Sequence, residues 1–252
     1  MSSPRPPIAL ITAGSAGLGA CVAELFARNG MRVVINYASN IQRAEELVSK
    51  LKSISTLPPA EGRVDYHAIK ADLASRTDVE RLVEEAVDAM SPPGGDAKRR
   101  LDVVFSNGGW THMRDLYDLE DNMVDEDWDR CFTMNVKSHL WLMHAAKPYL
   151  SAGWDDEEGG AHESGCFVTT ASLAGVKVSG SSLAYAVTKA AHLHLAKALA
   201  MLAAPKVRVN SVSPGLLLTV SQALCPASLE KEKPLFLFSP GGDGPLLTWF
   251  DI

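Results

Sequence analysis

Ile8-Ala9-Leu10-Ile11-Thr12-Ala13-Gly14-Ser15-Ala16-Gly17-Leu18-Gly19 is the stretch that decides the fold. Its first five residues form a short apolar run, and Thr12 to Gly19 form a turn rich in small residues. A helical pattern follows, with Leu18, Val22, Leu25 and Phe26 on one face, closing at Asn29-Gly30. Strand, small-residue turn and helix in that order have two readings. One is a plain tight turn. The other is a dinucleotide turn, in which small residues let the backbone approach a pyrophosphate whose charge sits at the helix N-terminus. The context favours the second, which makes Gly14, Ser15, Gly17, Leu18 and Gly19 candidate cofactor contacts.

Arg32 to Tyr37 reads as a second buried strand and completes a β-α-β unit. The C-terminal end of that strand normally meets the adenosine ribose. A carboxylate there would hold a free 2′-hydroxyl and repel a 2′-phosphate. The chain has Asn36-Tyr37-Ala38-Ser39-Asn40, with no acid. Asn36, Tyr37 and Ser39 are therefore candidate contacts, and NADP(H) is favoured over NAD(H). Arg43 either supplies positive charge or is an ordinary exposed helix arginine.

Strands and helices then alternate. Ile41 to Ile54 is an amphipathic helix, and Val64 to Ile69 a third strand ending at Asp72-Leu73. Thr77 to Met90 is a helix capped by Thr77 or Ser75. Leu101 to Ser106 is a fourth strand whose end carries Asn107-Gly108-Gly109, either a ligand site or a turn. Asp125 to Leu150 carries one long helical pattern enclosing Asn135, a polar residue that is either functional or a satisfied structural amide. Cys166 to Ala171 is a fifth strand with Ser172 just past its end. Val207 to Val212 is a sixth, leading into Ser213-Pro214-Gly215. This order predicts an α/β fold, a Rossmann-like doubly wound parallel sheet of about six strands with helices on both faces. Residues 1–252 form one domain, with a core over about 8–219 and an atypical tail over 220–252.

Tyr185-Ala186-Val187-Thr188-Lys189 lies near the start of a helical run from Ala184 to Ala203. A spacing of four puts Tyr185 and Lys189 on one helix face, about 6 Å apart. A nearby ammonium lowers a phenol's pKa, which would make Tyr185 a usable acid at neutral pH. By itself the pair reads as surface residues.

Composition narrows the function class. The hydrophobic share of 46% and charged share of 21% suit a soluble enzyme. A net charge of −6 argues against nucleic-acid and anionic-membrane partners, both of which want basic surface. Cys21, Cys131, Cys166 and Cys225 are widely spaced, so no metal site is expected and reduced thiols are. The Pro-rich start is no secretory signal and no apolar run reaches membrane-spanning length, so a cytoplasmic enzyme is expected.

Taken together, the turn at 12–19, Asp72, Asn107-Gly108-Gly109, Asn135, Ser172 with Tyr185 and Lys189, and Pro214-Gly215 with Thr219 resemble the short-chain dehydrogenase/reductases. The Asn36-Tyr37 pair resembles their NADPH-dependent ketoacyl and polyhydroxynaphthalene reductases. The resemblance implies hydride transfer between a nicotinamide and a carbonyl or secondary alcohol. In it Tyr185 is proton donor or acceptor, and Lys189 lowers the tyrosine pKa and bonds the nicotinamide ribose. Ser172 bonds the carbonyl oxygen, and Asn135 holds a water of a proton relay. Asp72 and Leu73 meet the adenine, Asn107 to Gly109 the cofactor. Pro214, Gly215, Leu217 and Thr219 lie at the carboxamide. The partners implied are a small-molecule carbonyl or alcohol and a second copy in a homodimer. A tetramer is doubtful.

Two departures stand out. Ala13 replaces the family's first glycine, which strains the backbone if φ is positive there. After Thr219 the usual lid and seventh strand are not recognisable, and Leu235 to Phe238 is expected to cover part of the sixth strand's edge.

Overall fold

The computed structural model describes residues 5–91, 99–154 and 164–217. Expectations that fall on Leu218, Thr219 and Cys225 to Ile252, including the covering segment Leu235 to Phe238, lie outside the described residues.

Six strands form one parallel sheet: β1 (Ile8–Ile11), β2 (Arg32–Tyr37), β3 (Tyr66–Lys70), β4 (Val103–Ser106), β5 (Gly165–Thr170) and β6 (Val207–Val212). Their order is β3-β2-β1-β4-β5-β6, the doubly wound arrangement in which the chain changes direction between β1 and β4. Helices α1 (Gly17–Arg28) and α2 (Ile41–Ile54) cover one face. On that side Ala23, Ala27, Leu47 and Leu51 pack against Ile11, Val33, Ile35 and Phe105. Helices α3 (Arg76–Met90), α5 (Ser138–Leu150) and α6 (Leu183–Ala203) cover the other. There Leu82, Met90, Leu142, Leu150 and Leu199 meet Leu10, Val34, Val104 and Phe167. Strands β1 and β2 are buried along their whole length, as central strands of a parallel sheet covered on both faces are. Strand β5 instead alternates buried and half-buried residues.

Two boundaries differ from the sequence reading for visible reasons. β3 begins at Tyr66 rather than Val64, because the Val64 carbonyl accepts from the Arg32 guanidinium at 2.6 and 3.0 Å. The single helix expected over Asp125–Leu150 is three pieces: α4 (Asp125–Phe132), a π-helical turn (Thr133–Lys137) and α5. Asn135 sits inside the π turn and is fully buried.

Candidate active site

The site lies at the C-terminal ends of β1, β4, β5 and β6. At the exit of β1, Ala13 has φ 47°, the left-handed region that strains a residue with a Cβ by about 1 kcal/mol. The turn is held there from β2. Ala13 N–H donates to Asn36 Oδ1 at 3.0 Å and Gly14 N–H to the Asn36 carbonyl at 2.9 Å. Gly19 closes the turn, since a Cβ there would stand 2.5 Å from the Ala13 carbonyl oxygen. Helix α1 then starts at Ala16 with no side-chain cap and no acid in its first turn. Helices α2, α3 and α6 are capped by Asn40, Ser75 and Ser182. An uncapped helix start between β1 and β4 fits the diphosphate of a dinucleotide. Ser15 is buried in this turn, while Gly17 and Leu18 are half-buried.

Asn36 is not the free donor expected from sequence. It is 1% exposed. Besides accepting from Ala13, it donates to the carbonyls of Tyr37 at 3.2 Å and Ala71 at 3.0 Å. Its amide ties the exits of β1, β2 and β3 together. Tyr37 is buried too, which leaves Ser39 and Arg43 exposed at the β2 end.

Next along the sheet, Asp72 is exposed and accepts from Ala74 N–H at 2.9 Å. Leu73 is buried under Gly108. Asn107 is fixed on three sides. Its N–H donates to Thr12 Oγ1 at 2.9 Å, its Nδ2 faces the Ala13 carbonyl at 3.5 Å, and its Oδ1 accepts from Thr170 Oγ1 at 3.0 Å. Sequence reasoning gave Thr12 and Thr170 no role in the site. Their position at the ends of β1 and β5 was the signal available.

Ser172, Tyr185 and Lys189 come together. Ser172 follows β5, and its hydroxyl accepts from Ala174 N–H at 3.1 Å and stands close enough to the Tyr185 phenol to act on its ionisation. Ser182 caps α6 by accepting from Tyr185 N–H at 3.1 Å, which sets the start of the helix and the aim of the phenol. Lys189, one turn on, is 3% exposed. Its Nζ donates to the Thr170 carbonyl at 2.8 Å and stands 5.7 Å from the Tyr185 ring centre. Burial pushes the Lys189 ammonium down to about 8. The Tyr185 phenol moves opposite to the sequence expectation. Burial pushes it up, with the Ser172 hydroxyl pulling the other way and the Cys131 thiol raising it further. Desolvation of the ring outweighs the help expected of an ammonium that is itself buried and turned to Thr170.

Asn135 is brought to the floor of the site, but its amide is already committed. Oδ1 accepts from Trp110 N–H at 2.8 Å, and Nδ2 donates to the Trp110 carbonyl at 2.9 Å and Thr188 Oγ1 at 3.0 Å. It pins the loop segment that follows Gly109 to α6. On the β6 side the Pro214 carbonyl accepts from Leu173 N–H at 3.0 Å. Gly215 is exposed and Leu217 half-buried beside it in sequence.

Two loops meet beside Tyr185. The loop after β4 and the loop after β5 are tied at Ser181, whose carbonyl accepts from Arg114 N–H at 2.8 Å and whose hydroxyl lies 2.5 Å from Thr111 Oγ1. Leu183 N–H adds a bond to Asn122 Oδ1 at 2.9 Å. Gly180, at φ 100°, lies against the Tyr185 ring, where a Cβ would stand 3.0 Å from it.

Residues 7–227 match the family described as short chain dehydrogenase. A ketoacyl reductase assigned to the granaticin polyketide synthase of Streptomyces violaceoruber is 33% identical over 217 residues, covering 86% of this chain and 75% of that protein. The RhlG/NADP active-site complex of Pseudomonas aeruginosa is 26% identical with a TM-score of 0.68, over 88% of this chain and 77% of that one. A 3-ketoacyl-(acyl-carrier-protein) reductase from Brucella melitensis complexed with NADH is 24% identical with a TM-score of 0.67, over 85% of this chain and 77% of that one, a likeness of fold. A family match running through the whole sheet, joined to a one-third-identical relative matched over three quarters of its length, makes this chain a short-chain dehydrogenase/reductase.

Proposed function

We propose that this enzyme is an NADP(H)-dependent oxidoreductase that interconverts a carbonyl compound and a secondary alcohol, with Tyr185 as the proton donor in reduction. The observation that carries this reading is the convergence of the Ser172 hydroxyl, the Tyr185 phenol and the Lys189 ammonium, whose Nζ stands 5.7 Å from the phenol ring centre. The uncapped start of α1 and the Gly14–Gly19 turn would hold the diphosphate. Asp72 and Leu73 would meet the adenine, and Asn107 to Gly109 the middle of the dinucleotide. Pro214, Gly215 and Leu217 would border the carboxamide, with Thr219 two residues further on. When bound, the cofactor supplies or accepts the hydride.

The chain's own residues do the rest. Ser172 donates to the substrate oxygen and stabilises the charge that grows there as the carbonyl is reduced. Tyr185 delivers its proton to that same oxygen. Lys189 offers its remaining N–H groups to the ribose and a positive field to the phenolate left behind. Asn135 acts by positioning, because its amide is already bonded to Trp110 and Thr188.

The preference for NADP(H) over NAD(H) rests on the β2 end. No acid stands there, and with Asn36 turned inward, exposed Ser39 and Arg43 are the groups that would receive a 2′-phosphate. The relatives divide, with NADP in the Pseudomonas aeruginosa complex and NADH in the Brucella melitensis one, so the preference rests on the β2 end. A homodimer through the long helices that flank the site is the assembly expected.

The test is oxidation of NADPH and NADH against a panel of ketones and quinones, with Tyr185→Phe as control. NADPH turnover that Tyr185→Phe abolishes supports the reading. Turnover with NADH alone reverses the cofactor preference. Tight cofactor binding without turnover on any member of the panel would favour a nucleotide-binding regulatory protein.

A further inference from the structure

Beneath Lys189 lies a buried polar cluster that the proposed reaction does not use. His139 enters from α5, four residues after Asn135, and His192 from α6, three after Lys189. Their rings stack with centres 3.9 Å apart and planes 28° from parallel. Exposure is 1% for His139 and 0% for His192. Ser106 Oγ lies 2.6 Å from His139 Nδ1. Among the described residues, His139 Nε2, both nitrogens of His192 and the Thr169 hydroxyl have no hydrogen-bond partner of acceptable geometry, although the Gly108 backbone acts on the His139 ring. Thr169 is fully buried and in register with Ser106 on the neighbouring strand, so its side chain leaves the sheet on the same side.

Folded proteins leave few buried polar atoms unbonded, and four in one layer demand a partner. A neutral imidazole offers one donor and one acceptor and a hydroxyl offers both, a set that a small molecule able to donate and accept would complete. Buried water typically makes about three such bonds to otherwise unsatisfied groups. We propose that His139, His192 and Thr169 bind internal water beneath Lys189, and that this hydrated floor is a positioning element that keeps the Lys189 ammonium charged.

The surroundings of Lys189 explain why a polar floor matters. Tyr185 and His192 face it from α6, Cys131 from α4 and His139 from α5, while β5 contributes the Thr170 carbonyl. None of these is an anion near neutral pH. Burial pushes the Cys131 thiol up to about 11. Burial and the Lys189 charge hold His192 down to about 3 and His139 well below its ordinary value. With no ion pair to Lys189 among the described residues, dipoles are what remain to stabilise the cation, and two neutral rings with water between them and Thr169 supply dipoles without a competing charge.

The proposal rests on Lys189 as the cation at the nicotinamide ribose, and its test separates the two ideas. His192→Leu and His192→Asn are made in the full chain. Thermal midpoints are measured without cofactor, NADPH binding is followed by fluorescence from pH 6 to 10, and the cofactor-free crystal structure is solved at high resolution. Expected are ordered water bonded to His192 and Thr169, a lowered midpoint for His192→Leu, and an alkaline loss of NADPH binding that moves down by roughly one pH unit. His192→Asn should restore both. A raised midpoint for His192→Leu with the binding profile unmoved would mean a dry, merely tolerated ring and overturn the proposal. A lowered midpoint with an unmoved profile, or no ordered water, would overturn it too. Failure of NADPH to bind the unaltered chain would sink the cofactor reading, while the midpoints and the water still decide this one.

Discussion

Ala13 stands in the left-handed backbone region where the family's pattern puts glycine. Ala13→Gly should therefore stabilise the chain by about 1 kcal/mol, less the extra chain entropy of glycine, seen as a higher urea midpoint with unchanged slope. Ser172→Ala should lower kcat by roughly 10²- to 10³-fold, as loss of one donor to a developing oxyanion does, with NADPH affinity little changed. At this scale the sequence was legible where spacing alone sets geometry, as for Tyr185 and Lys189 one helical turn apart. It was not legible where orientation or burial decides. Asn36 sits in a strand buried on both faces, so alternation carries no information about which way its amide points. The direction of the Tyr185 shift depends on how deeply the phenol and the lysine are desolvated, which no motif records.

Among the elements, the π turn is the feature periodicity could not reveal. Apolar spacing over Asp125–Leu150 reads as one helix, because no Gly or Pro marks the widened turn at Thr133–Lys137 and helix-compatible residues run through it. The trace available was Asn135 itself, a polar residue in an apolar run. Asn135→Ala leaves both backbone groups of Trp110 and the Thr188 hydroxyl with an empty side, and should cost about 2–3 kcal/mol by chemical denaturation. Helix α6 was legible nearly to its ends, since Ala and Leu dominate the run, although its Ser182 cap was not read. Removing that cap with Ser182→Ala should cost about 1 kcal/mol.

For the molecule as a whole, the doubly wound parallel sheet followed from the alternation of elements, and two cores lie on its two sides as such a fold requires. The histidine stack was missed because each ring falls within an apolar helical pattern and reads there as one more core position. Its consequence is global. In the unfolded chain both rings titrate near pH 6.5. Folded, His192 is held down to about 3 and His139 well below its ordinary value. Between those values the unfolded state binds protons that the native state does not, so stability is full above pH 6.5 and declines as pH falls toward 3. The urea midpoint should be lower at pH 5 than at pH 7.5, and a His139→Leu/His192→Leu double variant should show a smaller drop. The tie at Ser181 reaches in another direction. Because the loops after β4 and β5 share that residue's carbonyl and hydroxyl, they form a single cassette. A chimera that borrows one loop from a relative would arrive with its fastening undone. Laboratory selection for a new substrate should therefore recover paired changes, one around residues 111–122 and one around 179–183, rather than substitutions confined to either side.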